Sequence, residues 1–128
     1  MKMYIKSVLV SDQSKARTFY TDVLGFQIKH DIPMGEYNWL TVVSSEEPSG
    51  VELLLEPNAH EAACGFQKAM FEDGIPLTSF SVEDIQSEYQ KLQSKGVCFT
   101  QPPTEAGGVL VAILDDTCGN LIQLIQLD

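Results

Sequence analysis

The chain carries one short pattern twice. A β-branched apolar run ends at Val10 and is followed by Ser11-Asp12; a second ends at Val82 and is followed by Glu83-Asp84. Each aspartate opens a stretch with helical spacing, which places Ala16, Phe19, Tyr20, Val23 and Leu24 together in the first and Ile85, Tyr89 and Leu92 together in the second. A glycine closes each, Gly25 thirteen residues after Asp12 and Gly96 twelve after Asp84. Aspartate accepts from the orphan amides of a first helical turn, and glycine adopts the left-handed conformation that ends a helix. Each unit of this duplication is too small to bury its own sheet face alone.

Strand patterns complete each unit. After residues 4–10 come candidates at 26–31, 37–44 and 51–56, separated by the turn residues Pro33-Met34-Gly35 and Pro48-Ser49-Gly50. After residues 77–82 come 97–100, 109–114 and 120–127. Between the units, Ala62, Ala63, Phe66, Ala69 and Met70 predict a linker helix over about 60–73, packed on a sheet and bracketed by Pro57 and Pro76. The reading is an α+β fold of two tandem βαβββ modules, about 3–57 and 77–128. Within a single domain spanning 1–128, their curved, partly closed mixed sheets, facing each other or facing partners from a second chain, would surround a cleft.

A formal net charge of −10 argues against nucleic acid and anionic membrane surfaces as partners, because both are polyanions. Cys64, Cys98 and Cys118 are odd in number and have no metal-type spacing, which suits reduced thiols. The N-terminus lacks the apolar length of a signal peptide or a membrane span, so a cytoplasmic location is expected.

Few residues stand out as chemical candidates. In the last strand Gln123 interrupts the apolar row of Leu121, Ile125 and Leu127; it is either a buried amide bonded to a neighbour or a group that orients a ligand. Glu52 shares its face with Leu54 and Glu56, and enclosure by leucines would make it a candidate proton carrier. Tyr37 and Trp39 alternate onto one face and form either core or an aromatic wall for a ligand. His30 and His60 read as surface residues and Arg17 as a solvated one, and nothing near Cys118 activates it as a nucleophile.

The segments VSDQSKARTFYTDVLGF, VELLLEP, FSVEDIQSEYQKL and DDTCGNLIQLIQ together resemble the vicinal oxygen chelate superfamily, which includes glyoxalase I, bleomycin-resistance proteins and extradiol dioxygenases. The resemblance runs over about residues 4–127. In its metal-dependent members four strand positions hold a divalent ion, and these fall here on Ile5, Leu77, Glu52 and Gln123. Isoleucine and leucine donate nothing, which leaves at most one carboxylate and one amide oxygen where three or four donors are needed.

The resemblance therefore implies a small-molecule-binding member with a degenerate metal site and no cofactor. Its ligand, a small organic molecule, would lie against Trp39, Tyr37, Glu52, Gln123, Ile5 and Leu77. The alternative is a glyoxalase-type lyase or isomerase with Glu52 as catalytic base and a divalent metal at Glu52 and Gln123. Enediolate chemistry needs strong charge stabilisation beside the base, and no second charged group is visible for that task. A homodimer is implied as well.

Overall fold

Asp12 and Asp84 both cap helices as the duplication predicts. The Asp12 side chain accepts from the Lys15 amide at 3.1 Å, and that of Asp84 from the Ser87 amide at 3.0 Å. The computed structural model describes residues 1–128, which divide into two units, Met1–Gly65 and Phe66–Asp128.

The first unit runs β1 (Ile5–Val10), α1 (Gln13–Thr18), β2 (Gln27–Met34), β3 (Tyr37–Val43) and β4 (Glu52–Pro57). Its four strands are ordered β1-β4-β3-β2, with β1 parallel to β4 and the other pairs antiparallel. The helix expected to reach Gly25 instead widens after Thr18 into a π-helical turn over Phe19–Val23, in which the Leu24 amide bonds to the Phe19 carbonyl at 3.0 Å. The wider turn seats Phe19 and Tyr20 together in the core, edge to face with centroids 5.6 Å apart.

One face of this sheet packs on α1. Val8, Val10, Leu40, Val42 and Leu55 are buried there with Ala16 and Tyr20. The side chain of Gln13 fastens the helix to two strands at once. Its Nε2 donates to the carbonyls of Asn38 and Leu55, both at 2.8 Å, and its Oε1 accepts from the Asn38 amide at 2.9 Å.

The second unit repeats the plan with β5 (Thr78–Ser81), α3 (Ile85–Ser94), β6 (Phe99–Ala106), β7 (Val109–Asp115) and β8 (Leu121–Gln126), ordered β5-β8-β7-β6. Ile85, Leu92, Ala112, Leu114, Ile122 and Leu124 form its core. The fold is thus α+β, with two four-stranded mixed sheets. Two strands run longer than their sequence pattern suggests. β2 continues through Pro33 to Met34, so the turn falls at Gly35, and β6 continues through Pro102 and Pro103. Both are edge strands, where a missing amide hydrogen costs no ladder bond.

The linker helix α2 (Glu61–Glu72) is held differently from the expectation. Phe66 is half exposed, and the buried residue is polar: Gln67. Its amide donates to the Cys118 carbonyl and to Asn120 Oδ1, both at 3.2 Å. That turn is itself wound around the fully buried Asp116, whose carboxylate accepts from the amides of Cys118 and Asn120 and from Asn120 Nδ2 at 2.7–2.9 Å. Thr117 and Gly119 both adopt positive φ, 63° and 101°. No helix of the chain is long and apolar enough to cross a membrane.

Candidate functional site

Residues in register across a sheet point to the same side, so the pairings define the face that α1 leaves uncovered. On β1 and β4 that face carries Ile5, Ser7 and Leu9 opposite Glu52, Leu54 and Glu56. On β3 it carries Thr41, in register with Leu54, and by alternation Trp39 and Tyr37. On β2 it carries His30, Ile32 and Met34, which pair with Thr41, Trp39 and Tyr37.

His30 reaches this face through a bulge. Ile28 pairs with Val42, on the helix-covered side, whereas His30 pairs with Thr41 on the open one, and the register slips between them. The extra residue, Lys29, reverses the alternation and re-aims everything that follows. His30 is therefore not the plain surface residue that its strand-end position suggests.

Glu52 is the most enclosed charged group of the face, 6% exposed. Its Oε1 accepts the Thr41 hydroxyl at 2.8 Å and lies 3.8 Å from His30 Nε2. No side chain or amide donates to its other oxygen. Ile5 stands directly in register with it and supplies hydrocarbon at the position where a fourth strand could have offered a donor. Trp39 is partly buried and Tyr37 is 42% exposed; both lie further along β3, beside Ile32 and Met34. The face thus has a polar end at Glu52, Thr41 and His30 and an aromatic end. The Trp39 and Thr41 rows lie about 7 Å apart at strand rise.

Arg17 is also not merely solvated. It sits on the opposite, helix-covered side, where its guanidinium reaches Asp31 Oδ2 at 2.6 Å while Asn38 Nδ2 donates to Asp31 Oδ1 at 2.6 Å. The Asn38 hydrogen bond, with the weaker help of the hydrogen bond and charge of Arg17, holds the Asp31 carboxyl below its ordinary range and outweighs the opposing effect of burial. His60 Nδ1 accepts from the Ala62 amide at the start of α2.

In the second unit Gln123 is partly exposed on the face that α3 leaves open, and its Nε2 donates to Ser79 Oγ at 3.1 Å. Ser79, not Leu77, is in register with it. Leu77 lies one residue before β5 begins and is 58% exposed. Ser79 has the alternation that would have marked it, had the strand been aligned on Gln123 instead of counted back from Asp84.

A divalent ion of the kind the resemblance implies needs three or more donors converging on one point. No group of three or more His, Cys, Asp or Glu side chains is gathered anywhere in the chain. The polar end of the first face offers one carboxylate and one imidazole, with Ile5 beside them, and this donor set does not fit such an ion. What the arrangement can do is accept a hydrogen bond or balance a positive charge from a molecule whose body lies on Trp39 and Tyr37.

Comparison with known proteins is consistent along nearly the whole chain. A profile of the Glyoxalase/Bleomycin resistance protein/Dioxygenase superfamily matches residues 4–124. The protein YurT of Bacillus subtilis (strain 168) is 53% identical over 126 residues, 98% of this chain and 99% of its own. A probable lactoylglutathione lyase of Synechocystis sp. is 31% identical over 123 residues, 93% of this chain and 90% of its own. Among solved structures, UcmS2 superposes with a TM-score of 0.85 at 30% identity, over 98% of this chain and 97% of that one.

Proposed function

Because the chain belongs to the Glyoxalase/Bleomycin resistance protein/Dioxygenase superfamily, we propose that it is a metal-independent member that binds a small organic molecule on the open face of its first sheet. Glu52 would accept a donor from the ligand, Trp39 and Tyr37 would stack on its apolar body, and Ile5 would exclude water beside the carboxylate. Gln123 would offer a comparable polar group on the open face of the second unit, with Leu77 near it as apolar lining. The observation that carries this reading is the register of Ile5 with Glu52, which sets hydrocarbon against the one buried carboxylate of the face. The two units are read as modules of one domain, and the protein as a cytoplasmic homodimer whose molar mass in solution light scattering would be twice that of the chain.

A second reading is a glyoxalase-type lyase or isomerase that holds a divalent ion through Glu52 or Gln123, with Glu52 as base. The similarity to a protein named as a probable lactoylglutathione lyase favours it. Two measurements separate the readings. Protein purified without chelators should contain no stoichiometric Ni, Zn, Mn or Fe. A thermal-shift screen should respond to cationic aromatic compounds and not to glutathione hemithioacetals; a ligand at 100 times its Kd adds about 2.7 kcal/mol. A full equivalent of metal together with turnover of a hemithioacetal would replace the first reading by the second.

A further inference from the structure

An uninterrupted β2 would carry Ile28, His30, Ile32 and Met34 on one side and Lys29, Asp31 and Pro33 on the other. Ile28 pairs with the buried Val42 on the helix-covered side, so plain alternation would turn Ile32 and Met34 to that side as well. The strand does the opposite. Its bulge at Lys29 sends His30, Ile32 and Met34 to the open face, where Ile32 is left 51% and Met34 61% exposed. Two large apolar side chains are thereby kept in solvent against their own pattern, and a register that breaks this local rule needs a compensating contact.

The competing register is close at hand. β2 is an edge strand paired only with β3, and the hairpin turns through Gly35 and Glu36 between the partners Met34 and Tyr37. Moving the spare residue from Lys29 to the turn would set Lys29 opposite Thr41, Asp31 opposite Trp39 and Pro33 opposite Tyr37, closed by the loop Met34-Gly35-Glu36. Only one ladder changes. In the observed register Asp31 lies on the helix-covered side, and each of its carboxylate oxygens has its own donor at 2.6 Å, Arg17 of α1 on Oδ2 and Asn38 of β3 on Oδ1. Gln13 in turn ties α1 to the backbone of Asn38. In the slipped register Asp31 would stand on the opposite face and lose both donors.

We infer that Arg17, Asp31 and Asn38 form a register lock, positioning residues that decide from behind the sheet which side chains line the ligand face. With the lock closed, Ile32 and Met34 extend the aromatic end of Trp39 and Tyr37 with hydrocarbon. With it open, Lys29 comes to the Thr41 rung in place of His30, and position 31 comes to the Trp39 rung in place of Ile32. Arg17 and Asp31 are about a third exposed, and ion pairs of that kind contribute modestly. A modest contribution suffices, because the lock only chooses between two registers of one edge ladder. The face's role as a binding surface rests on the small-molecule reading above; the register does not.

Backbone NOEs across the β2–β3 ladder test the lock without any ligand. In the parent they should join Asp31 to Leu40 and Ile32 to Trp39. In Asp31→Ala, contacts from position 31 to Trp39 and from Ile32 to Asn38 should appear instead. Arg17→Ala leaves the Asn38 bond in place and should show both sets; it also serves if Asp31→Ala does not fold. Deleting Lys29 removes the spare residue, so Asp31→Ala made in that shortened chain should keep the parent contacts. The parent contacts alone in both Asp31→Ala and Arg17→Ala overturn the inference, and so does a slipped set that appears equally without Lys29. Trp39, the single tryptophan of the chain, reports the consequence on its own face. Quenching by phenazine, a neutral planar molecule, should weaken about tenfold in Asp31→Ala, the scale of one aliphatic side chain leaving a contact. Equal quenching in a slipped variant overturns the claim that register governs the ligand face. Phenazine that fails to quench the parent overturns the small-molecule reading of this face, and the NOEs then decide the lock by themselves.

Discussion

The hydroxyl of Thr41 on β3 donates to Oε1 of Glu52 on β4 at 2.8 Å, along a diagonal of the ladder, because the residue in register with Thr41 is Leu54. Both side chains are buried, Thr41 completely. Thr41→Val keeps the shape and strips the carboxylate of its one hydrogen bond. It should destabilise the protein by about 1–3 kcal/mol in urea unfolding, the cost of a buried polar group left unsatisfied. Thr41→Ser keeps the hydroxyl, removes one methyl and should lose about 1 kcal/mol. Equal stability of the valine variant and the parent would show that the bond contributes nothing.

Asp31 makes stability depend on pH with a definite sign. Asn38 and Arg17 depress its pKa in the folded state, so in acid the unfolded chain takes up the proton first. Its contribution is fully present above the unfolded value for aspartate, about 3.9, and disappears as pH falls through the lower folded one. The melting temperature of Asp31→Asn should therefore trail the parent by a constant margin from pH 5 to 7 and converge on it below pH 4. A gap of the same size at pH 3 would place the effect of Asp31 in packing instead of charge.

Gly119 is confined from two directions. Its φ of 101° is one that side chains rarely adopt, and a Cβ there would meet Gln67 Cδ and Nε2 at 2.8 Å. Gln67 cannot easily yield, because its amide is bound to Cys118 and Asn120. Gly119→Ala should cost about 1–2 kcal/mol in backbone strain and more through the displaced glutamine. Gln67→Ala removes the obstacle, so the double variant should lose less than the sum of the single losses. Strict additivity in denaturant unfolding would mean that the turn and α2 do not push on one another.

Much of this arrangement is legible in the sequence, and the illegible part has a common cause. Asp12 and Asp84 announce their helices because capping is a local event, decided by a side chain and an amide three residues on. Glu52 and Ile5 fall on the expected face because β1 and β4 alternate without interruption through six paired positions. His30 escapes the same reasoning because a one-residue bulge breaks the alternation, and nothing in QIKHDIPM marks where the extra residue will go. Ser79 escapes because counting from Asp84 assumes that both halves space strand and helix alike, whereas β1 ends two residues before its cap and β5 three. Long-range attachments such as Gln13 to Leu55 and Gln67 to Cys118 bridge 42 and 51 residues and leave no local pattern at all.

The pairing of Ile5 with Glu52 also bears on how such a chain could change occupation. A histidine substituted for Ile5 would bring a second imidazole across from Glu52, with His30 already on the same side. Three ligating groups would then share one side of the sheet where the natural chain has two. An oily residue at one rung of the sheet thus keeps the ligating side chains around Glu52 to a pair.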